Sequence, residues 1–141
     1  MIRYKLYQNN NERSSQYKKW YARAVCEETI DVAGLARHMS EHNSPYSAGV
    51  IHGVLKDMIA CTKELVLDGK NVKLDDLAIF SAGLTTRPAD SAKEFSASAN
   101  IRNVHLRARP TGTLRSVVLT REARIRQFGE YSVETKVETT V

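Results

Sequence analysis

The stretch NSPYSAGVIHGVLKDMIACTKELVLDG, residues 43–69, decides how the rest of the chain is read. Val50, Ile51, Val54, Leu55, Met58, Ile59, Thr62, Leu65 and Val66 place two adjacent apolar positions on each turn, the period of an α-helix. Asn43, Ser44 and Pro45 supply a turn, an N-cap and a proline at the first helical position, where its missing N–H costs nothing. Asp68-Gly69 closes the segment, because glycine adopts the left-handed cap without penalty. The apolar stripe is wider than one short helix and a small sheet can cover, and a second copy of the chain is the natural cover.

Upstream, Val32, Leu35, Ala36 and Met39 recur at i, i+3, i+4 and i+7 behind the N-cap Asp31, which predicts a shorter helix. Before that the period is two. Ile2, Tyr4 and Leu6 alternate with Arg3, Lys5 and Tyr7, and a polar loop around Asn9–Ser15 leads into a second strand over 16–26. On this second strand Trp20, Ala22, Ala24 and Cys26 share one face, with Lys19, Tyr21 and Arg23 on the other, so one side is apolar and the other cationic and aromatic.

Downstream, Val72 and Leu74 point one way while Leu77 and Ile79 need the opposite parity, and one extra residue near Asp75-Asp76, a β-bulge, restores register within a single strand over 71–84. The Ser/Thr/Ala-rich segment 85–100 reads as a long loop or arm with a helical turn around 92–95. A strand over 101–109 follows, carrying Val104, Leu106 and Ala108 on one face and Asn103, His105, Arg107 and Arg109 on the other. Residues 114–119 predict a short helix, and 120–141 a strand fading into a tail.

The chain has 141 residues, the size of one ordinary domain, with 42% apolar and 26% charged residues. Its longest apolar runs are far short of the roughly 20 residues of a spanning helix, and the N-terminus lacks the pattern of a secretory signal, so a cytoplasmic location is expected. Cys26 and Cys61 have no partners at metal-binding spacing and are read as two reduced, partly buried thiols.

The net charge of +5 is unevenly distributed. Residues 1–23 hold six basic and one acidic residue, 24–84 five and nine, 85–126 nine and three, and 127–141 one and three. Two cationic stretches thus flank a mildly acidic middle, a distribution suited to meeting a polyanion on one face.

From Asp31 to about Leu119 the order of elements resembles the HU/IHF family of bacterial histone-like DNA-binding proteins. The residues that carry the resemblance are the helix pair over 32–68, the stretch LVLDGKNVKLDDLAIF (65–80) and VHLRARPTGTL (104–114). The preceding pair of strands is similar to an HU-like branch common in Bacteroidetes, in which a β-hairpin precedes the HU core. The resemblance implies an α+β, HU-like dimer: a hairpin (1–28) packing on the core, the core itself (29–119) with its arm at 85–100, and a C-terminal strand and tail (120–141). It also implies binding to duplex DNA through phosphates and the minor groove, with little sequence preference, in organising the nucleoid. The family's arm-tip motif is missing: Arg87-Pro88 is the nearest remnant, followed by an Ala/Ser-rich insertion with Phe95.

On this reading the DNA-binding residues are Arg107 and Arg109, two apart on one strand face, with Arg102 at the strand entrance, Arg115 on the following turn, and Arg87 and Lys93 in the arm. Arg102 reaches the parity of the others only if a bulge intervenes at Asn103. Pro88 is read as a loop residue. The N-terminal aromatics Tyr4, Tyr17, Trp20 and Tyr21, interleaved with cations, are read as packing the extra sheet on the core; stacking the bases of a single strand is their alternative use. His38 and His42 stand at i, i+4 with no third ligand in view, and Asp75 and Asp76, as adjacent strand residues, point to opposite faces and cannot flank one bond. No catalytic constellation, cofactor motif or metal set is found, so the chain is expected to be non-enzymatic and to need no cofactor. The rival readings are a protein-interaction scaffold on an HU-like core that does not bind DNA, and an RNA or single-strand binder.

Overall fold

The computed structural model describes residues 1–129. It is mixed α and β, with two separate three-stranded sheets and four α-helices among the described residues, and it divides into two units. Among the described residues, one comprises 1–29 together with 122–129; the other comprises Ile30–Arg121.

The larger unit begins with α1 (Val32–Glu41) and α2 (Ala48–Leu67). Asp31 caps α1 by accepting the Gly34 N–H at 2.7 Å. At the start of α2 the sequence reading is corrected by about one turn: Ser47 is the cap, accepting the Val50 N–H at 3.3 Å. Ser44 instead accepts the Tyr46 N–H, and Asn43 takes a left-handed backbone, so Pro45 belongs to a bend between the helices. The C-terminus of α2 follows expectation. Gly69 adopts φ +74, and the N–H groups of Gly69 and Lys70 return to the carbonyls of Val66 and Leu65.

The second correction is topological. The segment 71–84 is a hairpin of β3 (Val72–Leu74) and β4 (Ala78–Thr86), paired antiparallel as Val72–Phe80, Lys73–Ile79 and Leu74–Ala78. The parity change that suggests a bulge is the chain reversing. The Leu74 carbonyl accepts the Leu77 N–H at 3.1 Å, and Asp76 sits at φ +62, a conformation that Asp tolerates better than most residues. Asp75 and Asp76 are therefore turn residues, not neighbours along a strand. Beyond β4, residues 92–94 form a turn, and a short helix, α3 (Ala97–Asn100), leads directly into β5 (Ile101–Pro110). A 3-10 turn (Gly112–Leu114) and α4 (Ser116–Glu122) complete this part of the chain.

The buried apolar side chains among the described residues are Ala36, Ile51 and Val66, all in the two helices. So small a core in a unit of this length has a counterpart on the surface: Val50, Val54, Ile59, Val104 and Leu106 are each about half exposed or more. An apolar groove of about 430 Å³ runs between α2 and the sheet, with Met58, Val66, Leu74, Phe80 and Leu106 in its wall.

In the smaller unit, β1 (Ile2–Gln8) pairs antiparallel with β2 (Trp20–Ala24), shorter than the 16–26 strand the alternation suggests, because 12–18 fold into successive turns. The C-terminal strand β6 (Ile125–Gln127) joins this sheet in parallel to β1, giving the order β2-β1-β6. The expected tail over 130–141 lies outside the described residues. Cys26 and Cys61 are both exposed, a correction to their reading as partly buried. No helix among the described residues is long and apolar enough to cross a membrane.

Candidate nucleic-acid interface

Strand β5 carries the predicted site, and its pairing with β4 sets which side chains face together. Ser81 opposes Arg107, Gly83 opposes His105 and Thr85 opposes Asn103, so these residues share one face of the ribbon. Arg109 continues that face opposite Ile79. Phe80, Ala82 and Leu84 oppose Ala108, Leu106 and Val104 on the other face, which lines the apolar groove. The strand thus separates a polar, cationic face from an apolar one, as its alternation predicts.

Gly83 explains how the polar face is surfaced. A β-carbon built there would lie 2.6 Å from His105 Nε2 and 2.8 Å from Arg107 Cδ, so these side chains lie across β4 in space that only a glycine leaves open. His105 Nδ1 is 3.4 Å from Thr85 Oγ1 on the same face. Arg107 and Arg109 are exposed, as are Arg87, Lys93, Arg102 and Arg115. The ion pairs among the described residues are Arg3–Glu27, Lys70–Asp68 and Lys73–Asp75, so no described carboxylate neutralises any of the six predicted cations. Arg115 Nε donates to the Gly112 carbonyl at 3.4 Å.

A bulge interrupts the ribbon at Arg102 itself, not at the expected Asn103. Thr85 pairs with Asn103 and Thr86 with Ile101, leaving Arg102 as the extra residue, one position before the expected Asn103 and released from strict alternation. Arg107 and Arg109 lie in the regular part of the ribbon, with Arg102 at its far end and Arg87 immediately past the end of β4.

The loop that joins the two strands is closed by a residue that sequence reading missed. Asn100 is the one buried polar residue among those described, 7% exposed. Its backbone carbonyl accepts the Arg87 N–H at 2.7 Å, its side-chain amide donates to the carbonyls of Arg87 and Pro88, and its Oδ1 accepts the Ser96 N–H. Ser96 in turn caps α3 by accepting the Ala99 N–H. The Ser96-Ala-Ser-Ala-Asn100 run carries the cap signature, though nothing in it announces the cross-loop bonds. Pro88 and Lys93 belong to this closed loop, and Pro88 is exposed.

The other end of the ribbon is fixed at the β3–β4 turn. Asp76 Oδ1 accepts the Thr113 N–H at 3.3 Å, and the Asp76 carbonyl accepts the Thr113 hydroxyl at 3.1 Å. The Thr111 N–H reaches the Leu77 carbonyl, and Gly112 at φ +55 passes so close that a β-carbon there would sit 2.8 Å from Asp76 Cα. Two ordinary-looking aspartates of the sequence thus include the residue that anchors the exit of β5. The His38 and His42 rings pack at 4.5 Å, and no three-membered set of metal-ligating side chains forms among the described residues.

A solved structure from Bacteroides vulgatus ATCC 8482, provisionally described as a bacterial DNA-binding protein, superposes with a TM-score of 0.64 at 15% identity. The match covers 92% of this chain and 50% of that one, so the present chain spans half the length of its structural neighbour. At that identity the likeness concerns the fold. No curated protein matches the sequence. Residues 1–125, however, match the family described as an HU domain fused to wHTH, Ig or glycine-rich motif, HU-HIG, and the chain therefore belongs to that HU-domain family.

Proposed function

We propose that this chain is a non-catalytic, HU-like protein that binds duplex DNA as a homodimer, through phosphate and minor-groove contacts with little sequence preference, and helps organise the nucleoid in the cytoplasm. The observation that carries the reading is the cationic face of the β4–β5 ribbon, on which Arg107 and Arg109 stand exposed with no described acidic partner. Two residues along a strand are about 6 to 7 Å apart, of the order of the separation between successive phosphates. Arg102, Arg87 and Lys93 extend the footprint toward the closed loop, and Arg115 extends it past the strand exit. The family membership supports DNA as the polyanion. The half-exposed apolar residues of α2 and β5 support a second copy as the cover for the opposite face.

The test is a fluorescence anisotropy titration of the full chain against a labelled duplex of mixed sequence at several salt concentrations. Binding is expected to weaken steeply with salt, and Arg107→Ala with Arg109→Ala is expected to lower the magnitude of the log–log slope by about two, one per lost phosphate contact. If the double substitution leaves duplex affinity and slope unchanged, the site is elsewhere. If the unaltered chain binds no duplex at low salt, the scaffold reading prevails.

A further inference from the structure

The sheet of the smaller unit has a second cationic face, built differently from the ribbon. Register pairs Lys5 with Arg23 and Tyr7 with Tyr21 across β1 and β2, and Arg3 with Arg126 across β1 and β6. These residues therefore lie on one side of the sheet, opposite the side that carries Tyr4, Leu6 and Trp20. The Tyr7 and Tyr21 rings stack at 5.7 Å between centroids and 28° between planes, and the Arg23 guanidinium lies 4.7 Å from the centre of the Tyr7 ring. At the other end, Phe128 has the Arg3 guanidinium 4.7 Å and the Lys5 ammonium 5.1 Å from its ring centre. Tyr7, Tyr21 and Phe128 each keep close to 40% of their surface exposed.

We propose that this face is a binding site for single-stranded nucleic acid, with Tyr7, Tyr21 and Phe128 stacking unpaired bases and Lys5, Arg23 and Arg126 holding the intervening phosphates. Exposed rings on a sheet offer an unpaired base a π-face to stack on, and every base has one, which a duplex keeps inside its own stack. The Arg23 and Arg3 guanidinium groups add a planar cation at the Tyr7 and Phe128 rings, and successive same-face cations on β1 follow the spacing of an extended strand. A three-stranded sheet is broader than an undistorted minor groove about 6 Å wide, and a duplex offers the rings no unpaired base. Glu27, ion-paired with Arg3, sets an acidic group against the cations of this face. The hydrogen bond between the two side chains, helped by their opposite charges, lowers the Glu27 carboxyl from its ordinary pKa and raises the Arg3 guanidinium.

This inference stands apart from the duplex reading, and the two fail separately. Anisotropy titrations of the full chain with labelled oligothymidine, oligouridine and duplex of about fifteen nucleotides or base pairs provide the readout. Tyr7→Ala with Tyr21→Ala is expected to weaken both single strands about tenfold and the duplex less than about twofold, whereas Tyr7→Phe with Tyr21→Phe retains binding. Arg107→Ala with Arg109→Ala is expected to do the reverse. Glu27→Gln is expected to strengthen single-strand binding about twofold by removing the opposing charge. Emission from Trp20, the one tryptophan of the chain, on the opposite face of β2, reports that each variant is folded. Arg23→Glu supplies a second test that leaves the stacked tyrosines in place. The proposal is overturned if the folded Tyr→Ala pair and Arg23→Glu both leave single-strand affinity unchanged. It is equally overturned if they weaken duplex as much as single strands, or if the unaltered chain binds neither oligothymidine nor oligouridine. Loss of one single strand alone would identify which of DNA or RNA the face takes.

Discussion

Asn100 and Arg87 hold the two ends of the β4–β5 connection together by a backbone bond of 2.7 Å in one direction and a side-chain bond of 3.2 Å in the other. The segment that composition reads as a long loop or arm is thereby a closed loop, and Arg87, Pro88 and Lys93 are presented from it.

Removing that closure has a local and a global consequence. Asn100→Ala leaves the carbonyls of Arg87 and Pro88 and the Ser96 N–H without their partner, at an expected cost of about 2 kcal/mol. Chemical denaturation measures the loss, and limited proteolysis is expected to cut within 88–99 far faster than in the unaltered chain. Unchanged protection of that loop would show that Asn100 does not close it.

Gly112 leaves no room for a side chain. Its φ of +55, and the 2.8 Å that would separate an added β-carbon from the Asp76 backbone, predict that Gly112→Ala destabilises by about 2 kcal/mol or more, since neither strain nor clash can be relieved by rotating a side chain. Gly53, in α2 with open space around it, is the contrast: Gly53→Ala is expected to stabilise by about 0.5 to 1 kcal/mol through helix propensity. Thermal melts of the two variants should move in opposite directions.

At Gly83 the contacts are with side-chain atoms of His105 and Arg107, not with backbone. Gly83→Ala is therefore expected to leave the fold intact by circular dichroism while displacing Arg107 and lowering duplex affinity by about threefold. A variant that binds duplex as well as the unaltered chain would separate Arg107 from the interface.

The apolar face predicts association. Val54 and Leu106 are each 63% exposed, one on α2 and the other on β5. With a chain mass of 15.8 kDa, sedimentation equilibrium is expected to return about 32 kDa, twice that value, and Val54→Glu or Leu106→Glu is expected to shift the mass to that of a single chain. An unaltered chain that sediments at 15.8 kDa would remove the dimer from the proposal.

What the sequence determined by itself is whatever repeats with a fixed period or is settled by one residue's local chemistry. The cap at Asp31 and the close at Gly69 follow from the local chemistry of one residue each, and the apolar stripe of α2 and the alternation of β5 follow from spacings of 3.6 and 2, which bind neighbours along the chain to one face. The two faces of β5 were legible for that reason, and so was the cationic and aromatic side of β2. Tertiary structure decided what depends on pairing between distant segments. The same parity change at Asp75-Asp76 fits a bulge or a reversal, and the antiparallel partnership of β3 with β4 selects the reversal. The placement of β6 beside β1 joins chain segments more than a hundred residues apart, and no local period encodes it. Asn100, Asp76 and Gly83 acquire their roles only when a second segment arrives beside them, because a hydrogen bond across a loop or an absent β-carbon under an arginine has no meaning along one strand alone.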